Sequence, residues 1–229
     1  MNPTIESQDT KVDPEVMLKE LLASGWLRLI LPTAMGGEGA SVAEVAEALQ
    51  PIARRHPALG WMAWSQGLVV QALVSSANVA VRENVLPDLL DGTRAGAVSW
   101  VPDFGVASPP KPVQATELDR GWALDGRLER VFNLQWIGYV VLCPVWFPVG
   151  PGIAPRLRWT LLRNEEDGLT TTMERNSSLR RQAACGDLKL QRVYFREDEL
   201  LADDGITLST PLSVLDQALR AALWSAALT

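Results

Sequence analysis

Few side chains in this sequence combine the chemistry of an acid, base or nucleophile with the spacing that an active site needs. His56 is the sole imidazole in 229 residues, so it alone offers an ordinary pKa suited to proton transfer near neutrality. It precedes Pro57 at a helix end, where a histidine also complements the helix dipole in a structural role. The two thiols are Cys143 and Cys185. Cys185 stands in "QAACGDL" behind Arg180 and Arg181, two cations that would lower its pKa, yet no Cys/His pair accompanies it. One histidine and no CxxC supply too few ligands for a transition metal. Asp103 follows Pro102, which is turn chemistry before it is general-base chemistry. "MGGEGAS" is glycine-rich but lacks the GxGxxG and GxxxxGK[ST] spacings that cradle phosphates. "SWVPDFGVAS", Ser99 to Ser108, has the outline of a cofactor-binding loop after an apolar strand, but it carries Trp100 and Val106 where hydroxyls would serve.

The elements that must position these residues change character along the chain. A net charge of −6 with no long Lys/Arg run repels a phosphate backbone and argues against nucleic acid. The polar, acidic start lacks the layout of a signal peptide, and no long uncharged apolar run follows, so a cytoplasmic protein without a membrane anchor is expected. Two cysteines suit buried thiols better than a disulfide framework. Nine tryptophans against two tyrosines and four phenylalanines suit either an aromatic core or a pocket for a flat, greasy ligand.

Asp13-Pro14 opens a helix that stops at Gly25, and Ser41 with Glu44 forms a capping box for a second. Ala58 to Ser75 is apolar on nearly every side, which predicts a central helix. Another helix runs from about Asn78 to Leu90. Between Arg94 and Leu200 the segments are short and β-rich, and "LDGR" reads as a hairpin signal. Thr210 and Pro211 then open a last helix with an apolar face of Val214, Leu215, Ala218, Leu219, Ala222, Leu223 and Ala226. That face needs a partner, either the helical half of this chain or a second chain.

"LLASGWLRLILPTAMGGEGASVAEVAEALQPIARRHPALGW" resembles the N-terminal signature of the acyl-CoA dehydrogenase superfamily, its "PALGW" ending nearer to the flavin-dependent monooxygenase branch. "LKLQRVYFREDELLADDG" is similar to the strand and loop that close the family's middle β domain. The resemblance stops where the family's C-terminal helical domain starts, the domain that supplies the catalytic carboxylate, much of the subunit interface and contacts to the adenine half of FAD. It implies an α+β chain: an N-terminal α-helical domain over residues 1–93, a middle β-barrel or sandwich domain over 94–208, and a short C-terminal helix over 209–229.

The family's flavin-facing motifs are altered here. Its TEPxxGSD loop, aligned on Pro102 and Gly105, places Trp100 at the threonine, Val101 at the acid and Val106 at the serine. Its WITN segment becomes "RVFN", with Arg130 for the tryptophan, Phe132 for the threonine and only Asn133 retained. A flavin acceptor left unpaired costs roughly 1–3 kcal/mol, and Trp100 and Phe132 are bulkier than the residues they replace. The leading expectation is therefore a truncated family member with a lost or altered flavin site and no cofactor, either a redox-neutral cyclase or isomerase or a non-catalytic subunit. Its partner would be a hydrophobic small molecule or acyl thioester around Trp100, Pro102, Gly105, Val106, Arg130, Phe132 and Asn133. Arg130 is either an exposed strand residue or a guanidinium for a carboxylate, phosphate or enolate oxygen, the one candidate for a catalytic role. The alternative is an FAD-binding subunit of a split dehydrogenase or monooxygenase. Either reading expects a homo-dimer or hetero-oligomer through residues 211–229.

Overall fold

The computed structural model describes residues 13–100, 113–202 and 204–228. Helix α1 (Pro14–Ala23) is capped by the Asp13 carboxylate, which accepts from the Glu15 N–H at 3.0 Å. A single turn, α2 (Leu27–Ile30), leads to α3 (Val42–Arg55). The Ser41/Glu44 box is present at its start: the Ser41 N–H donates to Glu44 Oε2 at 2.7 Å and the Glu44 N–H to Ser41 Oγ at 3.3 Å. Helices α4 (Pro57–Ser75) and α5 (Val79–Asp91) follow.

The expectation of a central helix holds for α4, which buries Trp64, Ser65, Gln66 and nearly all its apolar residues. A helix so enclosed can touch its neighbours closely only where side chains are small. A Cβ added to Gly60 would lie 2.8 Å from Ala53 Cβ and 2.8 Å from Leu223 Cδ2, so glycine sets the spacing between α4, α3 and the final helix.

Eight strands form one sheet: β1 (Ala95–Ser99), β2 (Val113–Glu117), β3 (Trp122–Phe132), β4 (Tyr139–Phe147), β5 (Arg156–Arg163), β6 (Leu169–Met173), β7 (Gly186–Phe195) and β8 (Leu200–Ala202). The order is β6-β7-β3-β1-β4-β5-β8. β1 and β2 lie end to end between β3 and β4: Val98 pairs with Phe132, Gln114 with Asp125, Ala95 with Tyr139 and Gln114 with Trp146. The short helix α6 (Ser178–Gln182) leads into β7.

Two local expectations are corrected. "LDGR" makes no hairpin: β3 runs straight through it, and Gly126, at φ 155°, adjoins a register shift against β7. Glycine there serves a bulge, which uses the same backbone freedom as a turn. The last helix, α7 (Gly205–Ala227), starts ahead of Pro211, because Asp204 caps it by accepting from the Ile206 N–H at 3.0 Å; Pro211 lies inside it.

The apolar face of α7 packs on α3 and α4 within this chain, burying Leu208, Leu212, Leu215, Leu219, Ala222 and Leu223. Val214, assigned to that face from the sequence, is 53% exposed instead. The reason for expecting association through residues 211–229 is thus removed for the buried face. Among the described residues no helix is long and apolar enough to cross a membrane.

Candidate functional site

Two groups of side chains meet the chemistry expected of a site. The first lies where α4, α7, the end of β1 and the end of β3 converge. Phe132, at the end of β3, stacks on Trp61 with ring centres 5.3 Å apart and an interplanar angle of 23°. Trp100 meets the same Trp61 edge-on at 5.1 Å, and Trp64 lies 5.8 Å from Phe132. Trp224 of α7 adds an edge contact to Trp61 at 6.4 Å and is 58% exposed.

A charged pair is set into this apolar surround. Asp216 Oδ1 accepts from Trp64 Nε1 and from Arg220 Nε, both at 2.7 Å. The Arg220 guanidinium stands 3.9 Å from the centre of the Trp100 ring and 5.1 Å from that of Trp64. A cation over an indole face is stabilised by the ring's quadrupole, and here the carboxylate four residues earlier on the helix fixes its direction. Trp61, Asp216 and Arg220 are not among the site residues expected from the sequence. The signal was present, since an acid and a base at i and i+4 on an otherwise apolar helix face need a buried partner.

The second group lines an open cleft of about 1280 Å³. Arg130 is on its wall, with Arg175, Arg181, Thr172, Asn176 and Asp187. Arg130 sits in the left-handed region at φ 50°, beside the register shift between Leu128 and Val131, and its N–H donates to Asp187 Oδ1 at 2.9 Å. A non-glycine residue held there stores strain and re-aims its side chain. Backbone hydrogen bonding to Arg130 and the Arg127 guanidinium hold the Asp187 carboxyl below its ordinary range against the opposing effect of burial.

The sequence-predicted residues therefore separate. Trp100 and Phe132 come together in the aromatic group, whereas Arg130 lines the cleft. Asn133 belongs to neither. It is fully buried at φ 68°, donating to Gln66 Oε1 at 2.9 Å and to the Gly96 carbonyl at 3.1 Å, and accepting from Gln135 Nε2 at 2.9 Å. Such a satisfied network specifies how α4 meets the sheet. Pro102, Asp103, Gly105 and Val106 lie outside the described residues.

Cys185 is corrected. Burial outweighs Arg180 and pushes its thiol from an ordinary 9.0 up to about 12. His56 caps the end of α3 and the start of α4, its N–H donating to the Ile52 carbonyl at 2.9 Å. In "MGGEGAS" the N–H groups of Glu38, Gly39 and Ala40 donate to carbonyls of Arg28, Leu31 and Leu29 at 2.8–3.0 Å. Those donors are spent on tying the loop back to α2 and its end.

Residues 2–93 match the acyl-CoA dehydrogenase N-terminal domain family. No curated protein matches the chain by sequence. Among solved structures, PigA with FAD and proline superposes with a TM-score of 0.75 at 13% identity, over 100% of this chain and 67% of that one. A steroid acyl-CoA dehydrogenase variant, Tcur3481-Tcur3483, gives 0.66 at 25% identity over 95% of this chain and 55% of that one. Dibenzothiophene monooxygenase (TdsC) from Paenibacillus sp. A11-2 gives 0.67 at 20% identity over 88% and 49%. The chain spans about half the length of the last two. The FAD complex among these structures overturns the expectation of no cofactor, since the fold points to a flavin. Residues 2–93 are thus similar to the acyl-CoA dehydrogenase N-terminal domain, and the helices and sheet together have the fold of the acyl-CoA dehydrogenase superfamily, flavin monooxygenases included.

Proposed function

We propose that this chain is the FAD-holding part of a flavin-dependent oxidoreductase that acts on a hydrophobic substrate, with flavin contacts altered from the family pattern. The observation that carries the reading is the cleft at Arg130, the position where the resemblance places the residue stacked on the flavin. Its donor set fits the polar edge of a flavin: guanidinium groups, with Thr172 and Asn176, can donate to carbonyl and ring acceptors. When bound, FAD supplies two-electron redox chemistry, which the side chains of this protein do not.

The chain's own residues then divide the work. Arg130 supplies positive charge in place of an aromatic face. Phe132 turns onto Trp61 and offers no hydroxyl. Trp61, Trp100 and Trp224 give an apolar surface that excludes water beside a greasy substrate, with Arg220 and Asp216 fixing Trp100.

The test is titration of the purified protein with FAD, followed by flavin fluorescence and visible absorbance. Saturable binding at one flavin per chain is expected. A protein that leaves the FAD spectrum and fluorescence unchanged at every concentration overturns the proposal.

A further inference from the structure

The outer face of α7 is a part of the surface that the flavin reading leaves unexplained. Between Gly205 and Leu228 the only charged residues are Asp216 and Arg220, which are largely buried and pair with each other at 2.7 Å. Other surface helices differ: α3 shows Glu44, Glu47, Arg54 and Arg55 to water, and α5 shows Glu83 and Asp91. What α7 shows instead is a stripe of Ile206, Thr210, Val214, Gln217, Ala221, Trp224 and Leu228, spaced three or four residues apart along about 33 Å of helix. Ile206, Val214, Trp224 and Leu228 are each more than half exposed, Leu228 at 88%. Single exposed apolar residues are ordinary, whereas a charge-free row of them marks a contact.

The stripe also indicates what covers it. It mirrors itself about Gln217: Ile206 and Leu228 lie 11 residues to either side, Thr210 and Trp224 seven, Val214 and Ala221 three and four. Two copies of α7 laid antiparallel across a two-fold axis at Gln217 therefore set Ile206 against Leu228, the large Trp224 beside the small Thr210, and Val214 against Ala221. An isologous interface requires self-complementarity of that kind, and a contact with a different polypeptide does not. The two polar members turn their donors on their own helix: Thr210 Oγ1 donates to the Ile206 carbonyl at 3.2 Å and Gln217 Nε2 to Ser213 Oγ at 3.1 Å. Burying the stripe thus strands neither donor.

We infer that this face of α7 is a homodimer interface, two copies pairing antiparallel about Gln217. The pairing does not depend on a bound flavin. It does reach the aromatic group, because Trp224 makes an edge contact to Trp61 and the second copy's helix covers its exposed side. One helix pair is a small interface, so dissociation in the micromolar range is expected.

Sedimentation equilibrium of the full chain, followed up to about 200 μM, is expected to show a reversible dimer. Gln217→Glu and Gln217→Lys each bring like charges together at the axis and should weaken the dimer about tenfold or more. Mixing the two variants in equal amounts should restore it, since the mixed pair brings opposite charges together. Gln217 is exposed in mid-helix, where Glu and Lys are good helix formers, so both variants keep the fold. Val214→Glu should also dissociate the dimer. A wild-type chain that stays monomeric at every concentration, or that pairs only with another polypeptide, overturns the assignment. So does a dimer that neither charge at position 217 nor Val214→Glu weakens, because it is then held elsewhere. Dissociation by each charge without recovery on mixing overturns the two-fold pairing at Gln217.

Discussion

At the scale of single residues, the two groups differ in what a substitution exposes. Asp216 is 3% exposed and joins a guanidinium and an indole N–H. Asp216→Ala removes the carboxylate from a part-buried cation, so the cost should approach but not exceed the figure of about 3–5 kcal/mol for breaking a fully buried pair. Trp64→Phe loses one buried hydrogen bond and part of a ring, and should cost less. Urea denaturation midpoints would rank the two, and an Asp216→Ala protein as stable as wild type would show that the pair is dispensable. Cys185 gives a pH prediction. Its folded pKa, about 12, lies above its ordinary 9.0, so the unfolded chain ionises first. Its contribution to stability is complete below pH 9 and is lost as pH rises toward 12. Cys143, raised for the same reason, acts in the same direction. Native protein should resist iodoacetamide at pH 8 and react only after unfolding. Here the sequence misled: Arg180 and Arg181 were visible beside Cys185, but the burial that outweighs them comes from packing between strands and loops far apart in sequence.

At the scale of elements, caps and burial patterns were legible because they depend on near neighbours. Asp13, Ser41 and Asn78 all cap helices where side-chain chemistry places them. Positions that serve a tertiary approach were not. Gly126 reads as a turn and is a bulge, and Pro211 reads as a helix start but lies within α7, whose start is fixed by Asp204 and by the close pass of Gly205 over Leu157. Gly60 is the strongest case. Gly60→Ala has to push aside Ala53 Cβ or the Leu223 side chain, and overpacking of this kind costs about 1–3 kcal/mol. Leu223 can rotate, so pairing Gly60→Ala with Leu223→Ala should recover part of the loss. A thermal melt of the single and double variants checks this, and a single variant melting with wild type would mean that α7 moves away at no cost.

At the scale of the whole molecule, α4 joins helices and sheet into one core. The Gln66 side chain accepts from the Gly96 N–H at 2.7 Å and donates to the Leu89 carbonyl at 2.9 Å, linking α4 to β1 and α5. Ser65 Oγ donates to the carbonyls of Gly96 and Phe132 at 3.0 and 3.1 Å. Ser76 Oγ donates to the Leu201 carbonyl, and Trp159 Nε1 donates to Ser209 Oγ at 2.9 Å, joining α7 to β5. The residue pattern divided the chain into helical and β parts; it did not disclose these cross-links, because a buried Gln or Ser in an apolar helix has no periodic signature. Their consequence is cooperativity. Tryptophans lie on both sides of the junction, Trp26 and Trp64 among the helices, Trp122 and Trp159 in the sheet. Fluorescence therefore reports on both, while far-UV circular dichroism is dominated by the helices. One coincident transition is expected from the two probes. Gln66→Leu, which strands the Gly96 N–H and part of the Asn133 amide at about 1–3 kcal/mol for each unpaired group, should lower the midpoint and separate the probes, with the helices and sheet losing their common transition. FAD should raise the wild-type midpoint for both probes alike, because a ligand that binds only the folded state stabilises whatever unfolds together with its site. If FAD moved only the fluorescence transition, the sheet would carry the site as an independent unit, and the cross-links through α4 would not couple it to the helices.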